Sequence, residues 1–262
     1  MRKIGMSLGA IATLSTNEYA ALLREYGFTT TFCLATDMMK VVSDGEILAA
    51  NGISYDSLHA PWDGINRMWR EGEDGEIMLL RLKHSVDICT EADSPILVVH
   101  LSSGLTPPPP TDIGRDRFIR LVRYAEEKRV TIAFENQRML GNISWAFEEF
   151  KDSPYVGLCY DCGHEGCFTP GRQYMPIFGD RLVCTHIHDN NGIFNEDLHR
   201  LPFDGTLDYD RVTRQIRESG FTGALVLEVN GKSDFYSHLS PREFFERASA
   251  AAHRLRDMTD KI

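Results

Sequence analysis

Eight apolar runs of strand length recur along the 262-residue chain, at 3–9, 29–34, 53–61, 96–104, 131–137, 156–164, 182–190 and 223–230. Between them the apolar positions switch from period two to the 3.6-residue spacing of a helix. Segment 16–26 follows Ser15, with Glu18 three residues on, which predicts a capping box ahead of Tyr19, Leu22 and Leu23. The same signature predicts a helix starting at Ser43 with Glu46. Segment 73–92 is long and amphipathic, and Ile77, Leu80, His84 and Ile88 are spaced for one face. Further helices are expected at 113–128, 144–150 and 208–219. A last one opens on Ser240-Pro241-Arg-Glu243, which combines a cap, a first-turn proline and a capping-box acid.

Strands that alternate with helices imply right-handed crossovers and a parallel sheet. Eight such units in this length fit one closed (β/α)₈ TIM barrel spanning 1–262 better than an open doubly wound sheet. The open sheet would normally carry a glycine-rich phosphate turn after its first strand, and Gly5-Met-Ser-Leu-Gly9-Ala10 lacks that spacing. No stretch resembles an interdomain linker. Thr106 followed by four prolines is stiff and extended, and it follows the run ending near His100, so it is expected to wall one side of a site.

The polar residues sharpen this picture, because His59, His100, Glu135, Asp161, His164, His186, His188 and Glu228 stand where apolar runs end. In a barrel the carboxyl ends of the strands form the active face. Taken singly, each is as well explained as a helix cap or a loop hydrogen-bonder. Taken together, Glu135, Asp161 and Glu228 converging on one barrel mouth require a cation or protons, since buried unpaired carboxylates are costly. A divalent metal is the simplest answer. His186 and His188 are two apart and so share a strand face, while Gly163 permits a sharp turn between Asp161 and His164. Asp197, His199 and Asp204 add polar groups after the seventh run, in a tract whose plain reading is a solvated loop.

Composition narrows the partners. A formal charge of −10 argues against nucleic acid, which is held by clustered Lys and Arg, and Arg115, Arg117 and Arg138 are isolated. Small neutral molecules are expected instead. The start on Met1-Arg-Lys-Ile-Gly, without a leader or a membrane-length apolar stretch, predicts a soluble cytoplasmic protein with no membrane partner. Six cysteines in such a chain are expected to be reduced. Cys159-x-x-Cys162 has zinc spacing, but no second pair accompanies it, and on a strand Cys162 would face away from Cys159.

The motifs His59-Ala-Pro61, Val98-Val-His100, Phe134-Glu135-Asn136, Asp161-Cys-Gly-His164, His186-Ile-His-Asp189-Asn190, Asp197-Leu-His199 with Leu201-Pro-Phe-Asp-Gly205, and Leu227-Glu228 occur in this order. In that order and spacing the chain resembles the xylose isomerase-like TIM barrel superfamily, specifically its sugar phosphate isomerase/epimerase group. The resemblance implies one divalent ion (manganese, zinc, cobalt or magnesium) held by Glu135, Asp161, His186 and Glu228. His186 is preferred to His188 because His186 and Asp189 match the family's His-x-x-Asp/Glu. It also implies isomerisation or epimerisation of a small sugar, sugar phosphate or related hydroxy-ketone through a metal-stabilised enediolate, with Glu135 and Glu228 exchanging the proton. His59, His100, His164, His188 and Trp62 are then substrate-facing and Phe168 a further apolar wall, with packing an equal reading of Trp62 and Phe168. Apart from the resemblance, Arg138 and Lys232 are candidates to meet a phosphate or carboxylate, against the plainer reading of single loop cations as solvated. Relatives frequently form homo-oligomers. The same superfamily includes endonuclease IV, an abasic-site nuclease with three zinc ions. Its additional ligands look like His59, His100, His164, Asp197 and His199, so a second metal site at His164, Asp197 and His199 and a phosphodiesterase are the alternative. A dehydratase of a cyclic hydroxy-ketone is a third.

Overall fold

The computed structural model describes residues 1–11 and 13–261. Eight parallel strands run in sequence order around the sheet: β1 (Ile4–Met6), β2 (Thr30–Leu34), β3 (Ser54–His59), β4 (Ile96–His100), β5 (Thr131–Glu135), β6 (Val156–Asp161), β7 (Leu182–His186) and β8 (Leu225–Leu227). β1 pairs with both β2 and β8, from Ile4 opposite Leu225 to Met6 opposite Leu227. The ring closes through one further bridge just past β7, where Ile187 N–H donates to Val226 O and Glu228 N–H donates back to Ile187 O (2.9 and 3.1 Å). The fold is a single (β/α)₈ barrel.

Nine α-helices lie among the described residues: α1 (Thr16–Glu25), α2 (Met38–Ala50), α3 (Glu73–Glu91), α4 (Asp112–Lys128), α5 (Leu140–Glu149), α6 (Cys162–Phe168), α7 (Met175–Phe178), α8 (Tyr209–Glu218) and α9 (Pro241–Thr259). Both capping boxes are present, at Ser15 with Glu18 and at Ser240 with Glu243. The expected start at Ser43 is wrong. Asp37, six residues earlier, accepts from Lys40 N–H and starts α2, while the Ser43 hydroxyl bonds back to the Lys40 carbonyl inside the helix. On α3 the expected face is wrong for Ile77, Leu80 and His84, which are exposed, and right only for Ile88, which is buried. Ile77 and Leu80 are 47% and 64% exposed, whereas Leu79, Leu82, Val86 and Cys89 pack inward. This helix carries two apolar stripes, and spacing alone does not choose between them. α5 begins four residues before its expected start.

Two residues below each functional side chain the strands supply small inward groups. Val98, Ala133, Cys159 and Cys184 form one buried cluster beneath His100, Glu135, Asp161 and His186, and Val226 lies beneath Glu228. Period two along the strand sets this layering. The six cysteines are free, and β6 ends at Asp161, so Cys162 turns into α6 and the outer core rather than toward Cys159.

Candidate metal centre

The strand ends deliver a compact cluster of imidazoles and carboxylates. Glu135 sits at its centre, with Oε1 2.8 Å from His186 Nδ1, and with His100 Nε2 and His59 Nε2 at Oε2, the latter 3.5 Å away. Glu228 Oε2 approaches the same His186 nitrogen at 2.9 Å. Donor atoms of Glu135, Asp161, His186 and Glu228 all lie within 4.8 Å of one another, as do those of His59, Glu135 and His186. A neighbouring group joins His164, His188, Asp197 and His199 on the same criterion. The two histidines of β7 and its extension therefore serve adjacent groups, His186 the first and His188 the second.

Each side chain is fixed by its backbone context. Asp161 caps α6 by accepting His164 N–H at Oδ1 (2.7 Å), so its cap role and its place in the cluster coexist. Its main chain is clamped by Asn136, which donates to Asp161 O and accepts from Asp161 N–H, both at 2.8 Å. His188 fits because residue 163 is glycine: a Cβ there would come within 2.0 Å of the His188 ring. Asp189 is not a ligand-side residue. Its carboxylate accepts N–H groups of Asn190, Phe203 and Leu207 (2.8, 3.0 and 3.1 Å), and so organises the loop that returns over the barrel. Gly205 makes that packing possible, since a Cβ would meet Asn190 O and Asp189 Oδ1 at 2.3 Å. The tract read as a solvated loop is thus an ordered one. Asn195, His199 and Phe203 in it hold left-handed backbone, which for non-glycine residues marks a conformation imposed by the surroundings.

The electrostatics follow from burial against like and unlike charge. Burial alone would raise the Glu135 carboxyl, yet charge attraction from His100 and His164 with hydrogen bonds from His100 and His186 holds it well below the ordinary range. Glu228 and Asp197 are likewise held down against burial, by His186 and by His164 with His199 respectively. Conversely, burial opposes protonation of His186, His164 and His199, but the carboxylates win. His186 is pushed well above its usual value, His164 to about 10 and His199 to about 9. His100 goes the other way, lowered by burial despite Glu135. Such a site binds protons in excess, and a cation can replace them.

The atoms left over fit that role. Asp161 Oδ2, both ring nitrogens of His188, Asp197 Oδ1 and Glu228 Oε2 are buried without a hydrogen-bond partner. Buried orphan oxygens and imidazole nitrogens in one place are the donor chemistry of a zinc- or manganese-type ion.

A cavity of about 600 Å³ opens on the cluster. His59, His100, Glu135, His164, Asp197, His199 and Glu228 line it, with Trp62, Phe32 and Phe168 as apolar wall. Trp62 is 44% exposed and stands edge-on to His59. Asp161, His186 and His188 lie behind the cavity surface, so His188, expected to face substrate, does not line it. Ser103 and Gly104 line the cavity, whereas the proline tract that follows them does not. Sequence reasoning missed Gln137, whose Nε2 lies 3.1 to 3.2 Å from His100, Glu135 and His164. The signal was available, because Gln137 stands two residues beyond Glu135 and period two keeps it on the same side.

Residues 11–257 match the family model described as xylose isomerase-like TIM barrel. The chain belongs to this family. Among curated relatives of this family member, the uncharacterized protein y4fM of Sinorhizobium fredii is 39% identical over 140 residues, which is 53% of this chain and 42% of that one. The chain thus covers less than half of that relative's length. Among solved structures, the IolI protein with a bound zinc atom superposes with a TM-score of 0.77 at 18% identity, covering 99% of this chain and 100% of that one. YcjR from E. coli, a 3-keto-D-glucoside 4-epimerase, gives 0.75 at 19% identity, covering 98% and 99%. At those identities the likeness is one of fold. No helix among the described residues is long and apolar enough to cross a membrane.

Proposed function

We propose that this xylose isomerase-like barrel is a divalent-metal-dependent isomerase or epimerase of a small sugar or related hydroxy-ketone. The observation that carries the reading is the convergence of Glu135, Asp161, His186 and Glu228 from the ends of β5 to β8 on one point, with orphaned donor atoms among them. These four would hold the ion, His186 through Nδ1, the ring nitrogen that faces both glutamates. Once bound there, a divalent ion supplies Lewis acidity to adjacent carbonyl and hydroxyl oxygens of a substrate.

The protein's own groups do the remainder. Glu135 and Glu228 both line the cavity and both are held ionised, so each can accept a proton at neutral pH. They come from strands on different sides of the mouth. Glu228 takes the proton from the carbon beside the carbonyl; Glu135 returning one to the other face of that carbon inverts it, while a proton returned to the former carbonyl carbon, with the hydroxyl proton passing to the old carbonyl oxygen, moves the carbonyl along the chain. His100, His164 and Gln137 hold Glu135 in place and turn donors toward substrate oxygens, while Trp62, Phe32 and Phe168 exclude water. The 3-keto-D-glucoside epimerase among the fold relatives supports the substrate class.

A second reading has its own observation. His59 and His100 crowd Glu135, and His164, His188, Asp197 and His199 make a further ligand group, a supply suited to several ions and to phosphodiester cleavage. The test serves both. Protein loaded in turn with manganese, cobalt, magnesium or zinc is incubated with ketoses and hydroxy-ketones in deuterated water, and separately with an abasic-site duplex. Deuterium at the carbon beside the carbonyl, abolished by Glu228→Gln in a folded variant, is the expected result. Cleavage of the duplex with no exchange in any ketose would overturn the isomerase reading in favour of the second.

A further inference from the structure

The cavity wall carries two permanent cations, Arg138 and Lys232, among carboxylates, imidazoles, neutral polar groups such as Ser103 and Gln137, and apolar groups. They differ in how they are held. Lys232 is exposed on the loop after β8. Arg138, three residues past Glu135, is fixed: its guanidinium carbon lies 3.5 Å from the centroid of the Phe168 ring, and Nη2 donates to Asn195 Oδ1. Phe168 in turn stacks on His164, with centroids 4.6 Å apart and planes at 18°. One aromatic ring therefore ties the guanidinium to an imidazole that touches the central carboxylate's network.

This arginine is unsatisfied. Its Nε is buried with no hydrogen-bond partner, Nη1 donates no hydrogen bond, and no carboxylate stands at ion-pair distance from it among the described residues. Among the arginines of the described residues, Arg138 alone has a buried side-chain N–H without a partner, and about half of the others pair with a carboxylate. Arg81, Arg115 and Arg247, for example, each pair with a carboxylate. A stacked guanidinium on the wall of an open cavity, with no carboxylate partner and with N–H groups left over, is suited to an oxyanion, which accepts charge-assisted hydrogen bonds from it. Holding the side chain beforehand removes most of the ordering cost of that contact.

We infer that Arg138 is the anchor for an anionic group, carboxylate or phosphate, on the substrate. The inference rests on the isomerase reading for the rest of the molecule's chemistry: the substrate becomes a short acidic hydroxy-ketone, with its charged end against Arg138 and its reacting carbons at Glu135 and Glu228. Phe168 and Asn195 are positioning residues for that anchor. The overall negative charge of the protein makes one preformed cation more selective, because an anion finds few other places to bind.

Three probes that share one three-carbon hydroxy-ketone test this: dihydroxyacetone, which is neutral, hydroxypyruvate, which carries a carboxylate, and dihydroxyacetone phosphate. Binding to metal-loaded protein is read from the fluorescence of Trp62, the tryptophan on the cavity wall. At least one anionic probe is expected to bind about tenfold or more tightly than dihydroxyacetone, a difference of about 1.4 kcal/mol. Which one does so separates carboxylate from phosphate. Arg138→Met, which keeps a side chain against Phe168, should erase the preference, Arg138→Lys should restore part of it, and Lys151→Met, at an exposed lysine that does not line the cavity, should leave it. A preference that survives Arg138→Met would come from chelation at the metal and would overturn the inference, as would equal binding or no binding of the three probes. Circular dichroism and metal content show that each variant is folded and loaded. Anion preference without deuterium exchange would sink the isomerase reading and leave the anchor standing; exchange without preference would do the reverse.

Discussion

Gly163 and Gly141 occupy the same place in two helices, the second residue of α6 and of α5, and the structure assigns alanine opposite effects at the two. Alanine is favoured over glycine in a helix by up to about 1 kcal/mol, so the intrinsic term stabilises both variants. At Gly141 no atom lies within 4 Å of the added Cβ, and that term stands alone. At Gly163 the Cβ would sit 2.0, 2.3 and 2.4 Å from three atoms of the His188 ring. The ring has nowhere to go, since it is fully buried and stacked on His199 with centroids 4.0 Å apart. Overpacking a rigid interior costs about 1–3 kcal/mol, and an approach of 2.0 Å belongs at its upper end, about 2–3 kcal/mol; with a helix term of about 1 kcal/mol set against it, Gly163→Ala is less stable by about 1–2 kcal/mol. For a chain of this size each 1 kcal/mol moves the melting temperature by about 2–4 °C. Differential scanning calorimetry should therefore find Gly163→Ala lower by roughly 2–8 °C and Gly141→Ala level or higher by up to about 4 °C. After loading with the divalent ion that the protein binds, metal analysis should find less of it in Gly163→Ala and an unchanged amount in Gly141→Ala. A Gly163→Ala protein as stable as wild type, with full metal content, would refute the argument that His188 is held by that glycine.

Three further outcomes are expected. Gln137→Leu removes the amide shared by Glu135, His100 and His164, and metal affinity measured by competition with a chelator should fall about 10- to 100-fold, as when a supporting hydrogen bond to a ligand is lost. In metal-free protein, His199 and His164 are raised to about 9 and about 10, so their stabilisation is full below their ordinary value of 6.5 and is lost as pH rises through 9 to 10. Glu135, Asp197 and Glu228 are lowered, so theirs is present above the ordinary carboxylate range and lost in acid. Melting temperature against pH should then peak between pH values of about 4.5 and 6.5 without metal, and added metal should raise it most on the alkaline side; a flat metal-free profile would contradict this. Ser240→Ala removes the capping box of α9 and should cost about 1 kcal/mol, read as a drop of about 2–4 °C, with metal content untouched.

The barrel was legible because strand-length runs repeat eight times, and from β3 to β8 each ends in, or is followed at once by, a polar residue that reaches the mouth. His59, His100, Glu135, Asp161, His186 and Glu228 are found in this way, and so are the two capping boxes. Less legible was anything decided by which of two similar surfaces packs. α3 has two apolar stripes, and only the barrel selects the one with Leu82 and Val86. Asp37 and Ser43 are both acceptable caps, and the helix takes the earlier. β6 was expected to run to His164, but Asp161 ends the strand by capping α6 at once. The division of His186 and His188 between two ligand groups could not be read from their shared strand face, because it depends on Gly163 and on the loop that Asp189 folds over the barrel. Gln137 and the Phe168–Arg138 stack were in plain view as residues, but nothing in their spacing announces their contacts.

The seam of the ring has a consequence for how the site comes into being. Ile187 and Leu227 join the two sides of the cylinder, and the residues next to them are His186, His188 and Glu228. The last stitch of the backbone and the last ligands are therefore brought in by one movement. During synthesis the pieces carrying His59, His100 and Glu135 emerge early but face an open gutter until β8 arrives to pair with β1, more than two hundred residues away in the chain. A nick or a deletion that frees β8 would disassemble the quartet proposed to hold the ion and the cylinder together, so on that proposal metal retention gauges whether the ring is shut.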